Sequence, residues 1–156
     1  MSNKYYHTKN SVVEYIQLSK DVNGQNLIER LKEFLPQKST LLEIGSGPGS
    51  DWEILNTNYT ITGSDNSQEF LNHLYTKYPK GKFLELDAST LNIDKKFDGI
   101  YSNKVLHHLN NDELSSSIKN QFKVLNNSGV ICHSFWTGEG QKFLRACLSI
   151  IILKKQ

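Results

Sequence analysis

Apolar positions recur along the chain in two rhythms, one helical and one extended. Val12, Tyr15 and Ile16 share a face at helical spacing, so a helix is expected from a Ser11 cap through Leu18. Leu27, Ile28, Leu31, Phe34 and Leu35 make a second stripe, a helix over about Gln25 to Leu35 that stops before Pro36. Thr40 to Ile44 is a short, largely apolar run of the kind covered on both faces of a parallel sheet. From Asp51 to Leu55 the pattern turns helical again. Tyr59 to Ser64, Lys82 to Leu86, Phe97 to Tyr101 and Val130 to Trp136 read as further strands. Helices are expected over Gln68 to Tyr78 and from Asn111-Asp112-Glu113 onward. The latter has Leu114, Ile118, Phe122 and Leu125 as its expected buried stripe and ends at Asn126-Asn127-Ser128-Gly129. Residues 1–9 are polar and expected to be loose.

Strands alternating with helices predict a doubly wound α/β domain with right-handed crossovers. At 156 residues the chain makes one domain with one real core. We divide it into cap helices over 1–36, a Rossmann-like core over 40–136 and an atypical tail over 141–156. A net charge of +2 without a Lys/Arg cluster argues against nucleic acid. Cys132 and Cys147 have no metal or disulfide spacing, and Cys132 is expected to be buried. No run reaches transmembrane length and no leader opens the chain, so a cytoplasmic protein that does not meet a membrane is expected.

The chemistry concentrates after the first strand, in Glu43-Ile44-Gly45-Ser46-Gly47-Pro48-Gly49-Ser50. Glycines at alternate positions allow a sharp turn and a ligand lying close against the backbone. A dinucleotide loop would read G-x-G-x-x-G with pyrophosphate on the helix start. Here the spacing is G-x-G-x-G, and Glu43 would repel a phosphate but suit a cation. Asp65 ends the second strand, twenty residues after Gly45, with Asn66 beside it. A carboxylate there can accept two hydroxyls of a ribose diol; alternatively Asp65 or Ser67 caps the following helix. Asp87-Ala88-Ser89 ends the third strand, where a carboxylate beside an N–H would match adenine, or else forms a surface turn.

E-x-G-x-G-x-G at Glu43 to Gly49 resembles motif I of the class I S-adenosylmethionine-dependent methyltransferases of small-molecule type. Phe97-Asp98-Gly99-Ile100-Tyr101-Ser102-Asn103-Lys104-Val105-Leu106-His107-His108-Leu109 resembles that family's fourth strand and the loop after it. The resemblance spans roughly residues 10–140. It implies S-adenosylmethionine as cofactor, sheet order 3-2-1-4-5, and methyl transfer to a small-molecule acceptor. Glu43, Gly45, Ser46 and Gly47 would hold the methionine portion, Asp65 and Asn66 the ribose, Asp87 and the Ala88 N–H the adenine. Asn103 would border the transferable methyl. The N-terminal helices, Tyr15 included, would either close over the site or only cover the sheet.

His107 and His108 are poor metal ligands, since adjacent side chains diverge and no third ligand fits. His108 is the candidate general base, the alternative being a packed imidazole. The family's sheet ends in an antiparallel strand pair that this chain is expected to lack. From about Leu144 the pattern neither alternates nor carries turn chemistry, as a shifted reading frame would produce. The tail, Leu148 to Leu153, is expected to be one short strand or a sticky segment, leaving the fifth strand's edge bare or patched and open to homo-oligomers. Two further readings stay open: a cofactor-binding but inactive domain, and a nicotinamide-dependent oxidoreductase.

Overall fold

The computed structural model describes residues 4–137 and 147–156. After a 3-10 turn over Lys4–His7, the elements in order are α1 (Lys9–Leu18), α2 (Gln25–Lys32), β1 (Thr40–Glu43), α3 (Ser50–Leu55), β2 (Thr60–Asp65), α4 (Gln68–Lys77) and β3 (Phe83–Glu85). Then follow β4 (Phe97–Asn103), a 3-10 turn over Leu106–His108, α5 (Asn111–Val124), β5 (Leu125–Thr137) and β6 (Cys147–Lys154). The sheet order is β3-β2-β1-β4-β5-β6, parallel except for the β5–β6 pair. The expected 3-2-1-4-5 sheet is therefore present, and its far edge carries a single antiparallel strand rather than a pair. The tail makes that strand: Ile131 faces Leu153 and Ser134 faces Ile150 in register. The expectations for residues 1–3 and 141–146 lie outside the described residues.

Strand alternation divides the core between the two faces of the sheet. Leu41 joins Leu27, Ile28, Leu31, Trp52, Leu55, Leu71, Leu74 and Tyr101 on one side. Leu42 and Ile44 join Leu86, Phe97, Ile100, Leu125 and Ile131 on the other. Cys132 is fully buried in β5, as expected. The chain reverses direction of crossover between β1 and β4, which opens a crevice at the carboxyl ends of the strands.

The structure corrects several local expectations. Residues 4–8 are not loose: the chain turns at Lys4–His7, and Thr8, not Ser11, caps α1 by accepting the Ser11 N–H. Phe34 is exposed because α2 ends at Lys32 and the chain closes by a turn, Leu35 N–H to Leu31 C=O. Ser67 caps α4, which removes Asp65 from that role. α5 starts with a capping box of Asn110 and Glu113. Of the expected apolar stripe, Leu125 is fully buried, Phe122 packs on the core and Leu114 and Ile118 are half-buried; beside it Ser117, Gln121 and Val124 are also buried, Gln121 meeting His133 of β5. Leu125 already pairs with Phe97, so residues 126–129 form an irregularity within β5 rather than the helix end.

Candidate functional site

A cavity of about 330 Å³ opens at the carboxyl ends of β1 to β4, a volume in the range of small-molecule sites. The glycine loop forms its floor. Gly45, Gly47 and Gly49 all have positive φ, at 70°, 51° and 88°. Their roles differ. A Cβ on Gly45 would lie 2.6 Å from Val105 Cγ2, so this glycine lets the loop after β4 pack down. A Cβ on Gly47 would meet nothing within 4 Å. Gly47 lines the cavity, so its missing side chain leaves room for a ligand.

Glu43 is the last residue of β1 and shares the face of Leu41. It is 3% exposed, lines the cavity, and its Oε1 has no hydrogen-bond partner. Burial, and then the neighbouring Asp51 and Asp65, push its carboxyl up to about 8, against the Ser46 hydroxyl. Asp51, in the first turn of α3, is buried with three donors on its carboxylate. Gly24 N–H reaches Oδ1 at 2.6 Å, while the Tyr101 hydroxyl and Asn103 Nδ2 reach Oδ2 at 2.7 and 3.0 Å. Sequence reasoning passed over Asp51 as an ordinary helix-start acid. Its signal was a carboxylate two residues past a glycine loop.

Asp65 bridges two loops. Its Oδ2 accepts the Gly47 N–H and its Oδ1 the Ser67 N–H, both at 2.9 Å. Burial raises its carboxyl, opposed by those N–H groups. Each oxygen keeps a lone pair for a further donor. Asn66, beside it, is exposed and lines the cavity. Asp87 and Ala88 line the cavity at the end of β3. Asp87 also has the turn geometry of the alternative reading, accepting Ser89 N–H at 2.7 Å and Ser89 Oγ at 2.5 Å. Burial pushes this carboxyl up, but those bonds outweigh it and hold it low.

Asn103 links two parts of the rim. Its amide donates to Asp51, and its Oδ1 accepts the Ser134 hydroxyl at 2.6 Å. Lys104 follows with φ 57°, a left-handed backbone at a cavity residue. His108 lies in the 3-10 turn at the cavity edge, and desolvation lowers its pKa. The two imidazoles do not diverge as expected: their centroids are 4.2 Å apart. Among the described residues, no group of three His, Cys, Asp or Glu could hold a metal.

The N-terminal segment crosses the mouth. Tyr6 stacks edge-on against Tyr15 at 5.3 Å, and both rings meet Phe70 of α4. The Ser67 hydroxyl donates to the Tyr6 carbonyl. The Gly24–Asp51 bond holds the segment's other end. Ser46, Tyr6 and Tyr15 all line the cavity, so the site is built from both cap and core.

The sequence model of the methyltransferase-domain family matches residues 41–129. No curated protein matches the chain. Among solved structures, one similar fold is an S-adenosylmethionine-dependent methyltransferase from Clostridium acetobutylicum, with TM-score 0.70 and 24% identity over 83% of this chain and 57% of that one. A second is a DhpI–SAM–HEP complex, at TM-score 0.73 and 20% identity over 86% and 64%. A third is the N-methyltransferase NodS from Bradyrhizobium japonicum in complex with S-adenosyl-L-homocysteine, at TM-score 0.67 and 20% identity over 82% and 72%. The chain spans 57%, 54%, 64% and 44% of the length of the first four such structures. Among the described residues no helix is long and apolar enough to cross a membrane.

Proposed function

The chain belongs to the class I S-adenosylmethionine-dependent methyltransferase family, and on that premise we propose that it moves a methyl group from S-adenosylmethionine to a small-molecule acceptor. The observation that carries this is the convergence of Glu43, Gly47, Asp65 and Asp87 on one cavity at the ends of β1, β2 and β3. The residues fit the cofactor. The unpartnered Glu43 Oε1 favours a cationic ligand, and the open space at Gly47 admits one. The pyrophosphate of a nicotinamide cofactor would bring Glu43 no cation and would leave its buried Oε1 without a donor.

In this reading Glu43 and the loop Gly45-Ser46-Gly47 hold the amino-acid portion, Asp65 and Asn66 the ribose, and Asp87 with the Ala88 N–H the adenine. Bound there, the cofactor supplies an electrophilic methyl on sulfur. The chain's task is to hold the acceptor in line with that methyl, about 3 Å away, and to keep water out. Asn103 borders that point and is itself fixed by Asp51 and Ser134. His108, kept neutral by desolvation, can take a proton from a hydroxyl or ammonium acceptor.

Isothermal titration with S-adenosylhomocysteine and with NAD tests the cofactor assignment. Binding of the former and not the latter is expected; the reverse would overturn the reading. A methyl-acceptor screen then tests turnover.

A further inference from the structure

Glu43 is a buried carboxyl of the cavity that the fold leaves incompletely hydrogen-bonded. Its Oε1 faces no donor, although it is 3% exposed. The ionisable groups that act on it are Asp51 on α3, Asp65 at the end of β2 and Tyr101 on β4. None of these is a cation. Asp51 has its carboxylate held in place by three donors, the Gly24 N–H, the Tyr101 hydroxyl and the Asn103 amide. Two carboxylates in one desolvated corner repel, and the one with fewer donors is the one that keeps a proton. Glu43 is that one. Its carboxyl, pushed up to about 8, is mostly protonated at neutral pH.

We propose that Glu43 holds a proton in the ligand-free protein, and that the cationic amino-acid end of the cofactor displaces it, so that cofactor binding releases a proton to solvent. This rests on the cofactor assignment above. The proton leaves the Glu43 carboxyl as the ligand ammonium arrives; no bond to carbon or sulfur changes. An ammonium beside Oε1 favours the carboxylate and supplies the missing hydrogen bond in the same event. The bland alternative is a permanently protonated Glu43 that only fills space. It predicts no exchange of protons on binding.

The sign of the pH dependence follows. A proton lost on binding makes the affinity rise with pH, up to tenfold per unit for a full proton, while Glu43 is protonated in the free protein. The rise levels off above about 8, where the free carboxyl is already ionised. The ligand's own amine titrates too, and the difference between the protein and its Glu43→Gln variant removes that contribution.

The test is calorimetric titration of S-adenosylhomocysteine at pH 6.5 in phosphate and in imidazole buffer, whose ionisation enthalpies differ. The expected result is release of ~1 proton by the protein and near none by Glu43→Gln, with weaker binding by the variant. Tight binding without proton release, or equal release in both, overturns the proposal while leaving the cofactor assignment intact. Absence of any S-adenosylhomocysteine binding by the unmodified protein overturns both. Infrared difference spectra need no variant: addition of the ligand should remove a protonated-carboxyl band and add a carboxylate band. An unchanged carboxyl region overturns the proposal even if Glu43→Gln fails to fold.

Discussion

The main-chain N–H of Gly24 donates to Oδ1 of Asp51 at 2.6 Å, across twenty-seven positions of sequence. This bond fastens the start of α2 to the first turn of α3. It also places Val22 and Asn23 on the cavity wall. Gly24 has φ −95° and ψ 30°, a conformation open to any residue, so its small size is a matter of packing. A Cβ there would lie 2.4 Å from the Tyr101 hydroxyl, 2.5 Å from Asp51 Oδ2 and 2.7 Å from Asn103 Nδ2. Gly24→Ala should destabilise the fold by about 1–3 kcal/mol through overpacking. It should also weaken S-adenosylhomocysteine binding, because the displaced groups carry Asn103. Denaturant unfolding and calorimetry check both; unchanged values in the two would mean the segment is not locked at this point.

The glycines of the loop should separate stability from binding. Gly45→Ala brings a methyl against Val105 in a left-handed backbone, so folding should suffer first. Gly47→Ala incurs the left-handed cost of ~1–2 kcal/mol without any contact, and its methyl enters the cavity. Its affinity for S-adenosylhomocysteine should fall by more than its stability does. Comparable binding by Gly47→Ala and the unmodified protein would remove the loop from the cofactor site.

The five strands and the glycine loop were legible because they rest on local signals, namely apolar runs, alternate glycines and an acid at the end of each of the first three strands, while the strand order came with the family resemblance. The links between those signals were not. Asp51 looked like a helix-start acid because the groups that claim it, Gly24, Tyr101 and Asn103, lie 27, 50 and 52 positions away. The burial of Ser117 and Gln121 on α5 was hidden for the same reason: the group that claims Gln121, His133, arrives from β5. The tail, expected as one short strand or a sticky segment, pairs as a strand with β5, and it has apolar side chains on both faces; Ile150, Ile151 and Leu153 are exposed while Ile152 packs on the core.

His108 is proposed as a proton acceptor, and its position makes that separable from a packing role. It touches Tyr6 edge-on, with centroids 6.1 Å apart. Once an acceptor is known, His108→Ala should lower turnover on the order of 10²–10⁴-fold with cofactor affinity nearly unchanged. Desolvation lowers its pKa, so the unmodified enzyme should stay active through neutral pH and lose activity only in the acid range, below the ordinary imidazole value. Turnover of the variant at the normal rate, or a pH profile identical in both, would return His108 to packing.

His133 takes no part in the proposed chemistry, yet its burial ties the fold's stability to pH. It is 1% exposed, between the sheet and α5. Its Nδ1 lies 2.7 Å from Ser102 Oγ and its Nε2 2.6 Å from Gln121 Oε1. Gln121 spends its amide N–H on Ser117 Oγ at 3.1 Å, which leaves its oxygen as acceptor. The Nε2 position must then carry the proton, and Ser102 donates to a bare Nδ1. Every member of the chain is satisfied with a neutral ring, and a second ring proton would face the Ser102 oxygen in a dry core. Burial accordingly pushes the imidazole down to about 3. In the unfolded chain it regains the ordinary value of about 6.5. Between these values the unfolded state binds the extra proton, so this contribution to stability is complete above about 6.5 and is lost as pH falls toward 3. The loss is on the order of 5 kcal/mol across the window. Other groups titrate there too, and Glu43 and Asp65, with raised pKa values, act in the opposite direction. The comparison that isolates His133 is unfolding free energy against pH for the protein and for His133→Gln, which keeps a polar side chain in the network without a titrating ring. The variant should be less stable at pH 7.5 and should lose less between pH 6.5 and 4.5. Parallel curves would mean that the imidazole is protonated in the folded state, and the hydrogen-bond assignment around it would have to be reversed.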